Sequence, residues 1–225
     1  MTTAKQKIAE AESLAKALFK AIEDRGLVVA GKSERDLNNE VFELAFELFG
    51  IEKYWHKRIV RAGRNTLLPY KDNPPDLVLQ TDDIVFFDFG PVFEEWEADI
   101  GKTYVLGTDA IKLKLKEDVE RAWWEGKQYY DLHSAHITGA EFYEYTKGLA
   151  TKYGWEYGNA HCGHLIGEFP HERIVGEDTI NYIHPQNTFP MSNTDSHGNE
   201  RLWIYEIHFI DRHLEIGGFF EQLLS

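Results

Sequence analysis

Three observations predict an α+β fold with a mostly antiparallel sheet flanked by helices. Helical and extended segments follow one another without strict βαβ alternation. The extended segments of the second half of the chain fall into neighbouring pairs that suit hairpins. Finally, 43% of the 225 residues are hydrophobic and 28% charged, the balance of a soluble globular chain long enough for a substantial core. No linker divides the chain, so residues 1–225 read as one domain.

Residues 3–25 read as a helix, because Ile8, Ala11, Ala15, Leu18 and Ile22 recur at intervals of three and four before Gly26. A second helix follows Ser33, an N-cap with Glu34 and Asp36 in the first turn; Val41, Leu44, Ala45 and Leu48 form its stripe and Gly50 ends it. Both read as packing elements. Residues 55–62 predict a strand, and the next twenty, with three prolines, a loop. After the central hairpin, Thr108 is expected to cap a helix to about Leu132, with Ile111, Leu115, Val119 and Ala122 facing inward. Thr138 and Glu141 form a capping box for another helix, ending at Gly154. Residues 176–200, holding Pro185 and Pro190, predict a mobile surface loop. Two strands, Leu202 to Asp211 and Leu214 to Leu224, close the chain.

Chemistry concentrates where acids interrupt apolar strands. Ile84, Phe86 and Asp88 share a strand face, and Asp99 lies eleven residues on. A turn near Phe93 and Glu94 would set Asp88 opposite Asp99. Two ionised carboxylates facing each other in an apolar sheet cost several kcal/mol unless compensated, and a hard divalent cation compensates them. The late strands repeat the pattern: Leu202, Ile204, Glu206 and His208 share one face, and Glu221 interrupts IGGFFEQLL. His164 stands between Gly163 and Gly167, where small neighbours admit close approach, and His171 follows seven residues later. Four apolar-embedded carboxylates and a glycine-flanked histidine predict a binuclear metal site rich in oxygen ligands.

Bulk properties exclude other classes. A net charge of −14 argues against a nucleic-acid or anionic-membrane partner. No apolar run approaches the roughly 18 residues that span a bilayer. The first dozen residues lack a signal-peptide core, and the single cysteine, Cys162, cannot form an internal disulfide, so the cytoplasm is the expected compartment.

The order Asp88, Asp99, then GHLIGEFPHE, then Glu206 and Glu221 resembles the pita-bread metallopeptidases, which include methionine aminopeptidases, aminopeptidase P, prolidase and the metal-free relative creatinase. DDIVFFDFG and ADIGKTY resemble that family's metal-binding hairpin. The likeness covers nearly the whole chain and implies a curved, mostly antiparallel sheet flanked by helices. It implies two divalent metal ions (Mn, Co, Fe or Zn) on Asp88, Asp99, His164, Glu206 and Glu221, with Asp99 and Glu221 bridging. His171 would steady the tetrahedral intermediate, and Glu206 would take a proton from a metal-bridging hydroxide's parent water. The implied reaction is hydrolysis of an amino-terminal peptide bond, Xaa-Pro among its candidates, with a homodimer as one permitted assembly.

Departures from the family pattern bear on substrate. Pro69-Tyr70 stands where a histidine commonly follows proline, so Tyr70 is the expected substrate contact there. Phe219 replaces an arginine, and Glu206-Ile207-His208 replaces Glu-Pro. His208 reads equally as an added ligand or a core residue. His56 and His161 read as structural, Cys162 as a small buried residue. The extra amino-terminal domain of aminopeptidase P, prolidase and creatinase is not expected. Two alternatives stand beside the peptidase: the same fold hydrolysing a small-molecule C–N bond, and a non-catalytic binding module.

Overall fold

The computed structural model describes residues 3–171, 178–195 and 197–224. Helix α1 (Ala4–Asp24) opens on a capping box in which Thr3 accepts from the Gln6 amide. Helix α2 (Glu34–Phe49) opens on a second box, Ser33 with Asp36, and stops where Gly50 turns left-handed. Strand β1 (Ile59–Ala62) leads through a 3-10 turn into β2 (Ile84–Phe89). A two-stranded ribbon, β3 (Val92–Phe93) and β4 (Trp96–Glu97), forms the hairpin tip before β5 (Ile100–Val105). Helices α3 (Ala110–His133) and α4 (Gly139–Tyr153) follow, then β6 (Glu156–Tyr157), β7 (Gly163–Ile166), β8 (Leu202–Asp211) and β9 (Ile216–Leu223).

The seven-stranded sheet runs β1-β2-β5-β9-β8-β6, with β7 also paired to β8, and every pairing is antiparallel. The α+β expectation therefore holds. Its register explains where the acids meet. Asp88 pairs with Gly101, Gly101 with Glu221, and Glu221 with Glu206. Residues directly opposite one another point to the same face, so one row across four strands carries three carboxylates around a glycine. A Cβ at Gly101 would overlap the Phe219 ring and sit 3.1 Å from the Glu221 Cβ. The glycine makes room for the Phe219 ring between the acids.

The opposite face carries the cores. One joins α1 and α2 to Val85, Phe87, Phe89 and Ile100; the other joins α3 and α4 to Tyr205, Ile207, Phe209 and Phe220. Each fully buried large side chain here stabilises the fold by about 1.5–3 kcal/mol. Helix α3 approaches β8 so closely that a Cβ on Gly126 would overlap the Tyr205 phenol, whose hydroxyl is 2.9 Å from Thr146 Oγ1. Gly126→Ala should cost about 1–3 kcal/mol through overpacking. Thermal unfolding measures this; an unchanged melting temperature would mean the helix shifts without cost.

Several expectations need correction. The central hairpin does not set Asp88 opposite Asp99: Gly101 faces Asp88, and Asp99 enters the same face two residues earlier. Asp109, not Thr108, caps α3, accepting from the amides of Ile111 and Lys112 at 2.9 and 3.0 Å. Ile111, in the first turn, is exposed rather than inward. The strand expected over 55–62 begins at Ile59, because residues 55–58 turn over the site, and the last strand begins at Ile216 rather than Leu214. Of the loop 176–200, residues 176, 177 and 196 lie outside those described. The rest is anchored rather than loose: Ile183, Asn187 and Met191 are buried, and bridges join Thr138 to Pro190 and His164 to Tyr182.

Candidate metal centre

Asp88, Asp99, His164, Glu206, Glu221, His171 and Tyr70 all line one cavity of about 480 Å³. Phe86, Ile59 and Phe219 form an apolar cluster at one side, and Leu68 and Pro69 join the lining. Asp99 is central. Its Oδ2 is 3.0 Å from His164 Nε2 and its Oδ1 3.1 Å from His56 Nε2. Glu221 Oε1 lies 3.7 Å from His164 Nε2, and Asp88 Oδ1 3.5 Å from His56 Nε2. On Glu206, Oε1 accepts from Asn159 Nδ2 at 2.7 Å and lies 3.1 Å from His161 Nδ1.

Electrostatics follow from crowding. Burial, with Asp99 beside it, pushes the Glu221 carboxyl well above the usual carboxylate range. Burial likewise raises Asp88, to about 7, against the lowering influence of His56. Burial also opposes ionisation of Asp99, but His56 and His164 outweigh it and hold Asp99 below its ordinary value. Glu206 is lowered in the same way, burial being outweighed by His161. Burial disfavours the His56 imidazolium, yet Asp99 and Asp88 carry it up to about 9.

Whether such a site suits divalent cations can be tested on its own atoms. Glu221 Oε2 is buried with no hydrogen-bond partner among the described residues, which costs free energy unless something positive meets it. Directly opposed Glu206 and Glu221 also repel. Four carboxylates with imidazole match the donors that hard and borderline divalent metals take. The set fits.

The sequence reading missed three features. His56, expected to be structural, faces two acids of the cluster. His161, also expected to be structural, lies against Glu206. Glu97 is buried on β4, where its carboxylate accepts from His171 Nδ1 at 2.7 Å and from the amides of His171 and Gly167 at 3.2 and 3.3 Å. The ribbon tip thus orients His171. Of the two readings of His208, the structure supports the core one: Nε2 donates to the Thr66 carbonyl at 2.8 Å, and burial lowers its pKa. Cys162 is buried beside Thr146, and desolvation holds its thiol well above the usual range, so it is a packing residue.

Fold and site together define a pita-bread metallopeptidase domain. The chain belongs to metallopeptidase family M24, whose family model matches residues 6–198. It is 29% identical over 158 residues to an Xaa-Pro dipeptidase of Pyrococcus horikoshii and 28% identical over 156 residues to one of Lactobacillus helveticus. Those matches cover 70% and 67% of this chain but 43% and 41% of the relatives, so the chain matches under half their length. Among solved structures, a prolidase from Thermococcus sibiricus superposes with TM-score 0.73 at 22% identity, covering 98% of this chain and 59% of that one. Methionine aminopeptidase from Rickettsia prowazekii superposes with TM-score 0.70 at 17% identity, covering 96% and 90%. These superpositions establish the fold.

Proposed function

We propose that the protein is a binuclear metal-dependent exopeptidase that hydrolyses the amino-terminal bond of short peptides, with Xaa-Pro peptides as the first class to test. The observation that carries this reading is the gathering of four buried carboxylates and five imidazoles in one cavity. The naming of relatives as Xaa-Pro dipeptidases directs attention to proline. Asp88, Asp99, His164, Glu206 and Glu221 would hold two divalent ions. Cations there supply an acidified water and a charge that polarises the scissile carbonyl. Glu206, ionised and steadied by Asn159 and His161, accepts a proton at Oε1 or Oε2. His171, its ring oriented by Glu97 through Nδ1, stands beside the scissile carbonyl and steadies the tetrahedral intermediate. Tyr70 and Phe219 shape the substrate wall. The single cysteine suits a cytoplasmic enzyme.

The test is turnover of Xaa-Pro dipeptides and unblocked longer peptides by protein reconstituted with Mn, Co, Fe or Zn. No cleavage across the panel, with two ions bound, would discard the peptidase reading. Hydrolysis of a small-molecule C–N bond is the second reading, favoured by Tyr70 and Phe219 on the cavity wall; turnover of small amides without peptide cleavage would select it.

Metal affinity should rise steeply with pH between about 6 and 9. His56, raised to about 9, and Asp88, raised to about 7, hold protons that a cation displaces. Lower pH fills these groups with protons and weakens binding. Calorimetry in buffers of different ionisation enthalpy should register proton release on binding. Affinity independent of pH over that range would contradict it.

A further inference from the structure

We propose that His56 is a sixth protein ligand of the metal centre, so that each of two cations receives one imidazole. This rests on the binuclear reading above and adds a residue to it.

His56 and His164 are built alike. Nδ1 of His56 lies 2.8 Å from the carbonyl of the next residue, Lys57. Nδ1 of His164 lies 2.9 Å from the carbonyl of its own next residue, Leu165. A carbonyl only accepts, so Nδ1 carries the proton in both neutral rings and Nε2 presents a lone pair. A backbone carbonyl on the far nitrogen is the support that metal-binding imidazoles ordinarily have.

The two Nε2 atoms converge on the two oxygens of one carboxylate, His56 on Asp99 Oδ1 and His164 on Asp99 Oδ2. Each then has a second acid of its own, Asp88 for His56 and Glu221 for His164. The outcome is two trios, His56–Asp88–Asp99 and Asp99–His164–Glu221, in each of which one ligand atom per residue lies within 4.8 Å of the others. Asp99 belongs to both trios.

The seat of His56 is specifically made. A Cβ on Gly90 would overlap both the His56 ring and the Trp55 indole, so the ring can lie over the end of β2 only because that residue is glycine. Trp55 packs edge-on against His56 at 4.4 Å and against His164 at 5.0 Å, bracing both. The His56 side chain is 7% exposed. His208, the packing histidine of the same cavity, is turned the other way, its Nε2 spent on the Thr66 carbonyl. One imidazole at each position shifts preference toward Zn, Co and Fe and away from Mn and Mg.

The opposing role for His56 is that of a counter-ion that merely neutralises the acids. The two make opposite predictions, because removing a ligand loosens a cation and removing a competing positive charge tightens it. The experiment is titration of the full chain with Co²⁺, read by bound-metal stoichiometry and by the visible spectrum of the bound ion, for wild type, His56→Ala and His56→Asn. Wild type should take up two ions. Both variants should hold one ion at wild-type affinity, bind the other at least about 10–100-fold more weakly, and lose part of the Co²⁺ absorption. Imidazole added to His56→Ala should restore the absorption. Far-ultraviolet dichroism checks folding, and His56→Asn, which keeps a polar group in the gap, serves if the alanine variant does not fold. Two ions at wild-type or tighter affinity, with an unchanged spectrum, would overturn the proposal while leaving the binuclear reading standing. Fewer than two ions in wild type would overturn both.

Discussion

Glu221→Gln should raise the melting temperature of the metal-free protein and abolish the further rise that Mn²⁺ or Co²⁺ gives the wild type. The acid sits directly across from Glu206, near Asp99, with one oxygen unpartnered. Its pKa is raised well above 4.5, so the folded state binds its proton more tightly than the unfolded chain does. By linkage, the metal-free fold loses stability as pH climbs past the unfolded value, and at pH 7 that loss is present. An amide of the same shape removes it. The amide is also a poor bridge between two cations, so binding and activity go together. A ligand at 100 times its dissociation constant stabilises by about 2.7 kcal/mol, roughly 5–10 °C for a domain of this size. Wild type should show that shift and the variant essentially none. Asp99→Ala should lose both cations and activity for the same reason, since it faces both histidines. A Glu221→Gln protein that still gained stability from metal would remove Glu221 from the centre.

His171→Ala should behave differently, keeping both cations while kcat falls by roughly 10²–10³, the cost of losing one group that stabilises the developing oxyanion. His171 meets none of the clustered acids at ion-pair distance among the described residues; its partner is Glu97, at the ribbon tip. Metal stoichiometry and kcat, measured on one preparation, separate the roles. Loss of metal in His171→Ala would show that the division is wrong. Glu97→Gln should reduce kcat less, since the amide can still accept one hydrogen bond but no longer fixes the ring with a charge.

What the sequence made legible was chemistry that breaks a pattern. Asp88, Glu206 and Glu221 each interrupt an apolar strand, which marks them one by one, but it is the pairing register that brings them onto one face. His164 announced itself by its glycines. His56 had no such frame: it lies in a turn before β1, and its acids come from 32 and 43 residues away, a proximity that local periodicity cannot encode. Glu97 was hidden among Glu94 and Glu95, three acids in four residues, of which the fold buries this one. Glu34 looked like an acid favouring a helix dipole. It is buried, accepting from the Ala62 and Leu77 amides and the Asn65 side chain, and so pins the loop that carries Tyr70. The cap of α3 was missed by one residue because Thr108 and Asp109 are both competent and only packing chooses between them.

The row Asp88–Gly101–Glu221–Glu206 draws its acids from both halves of the chain and from the final hairpin. A nascent polypeptide that has emerged only as far as α4 owns His56, Asp88 and Asp99 but neither His164 nor either glutamate, so the row of acids is complete only once the final hairpin has paired.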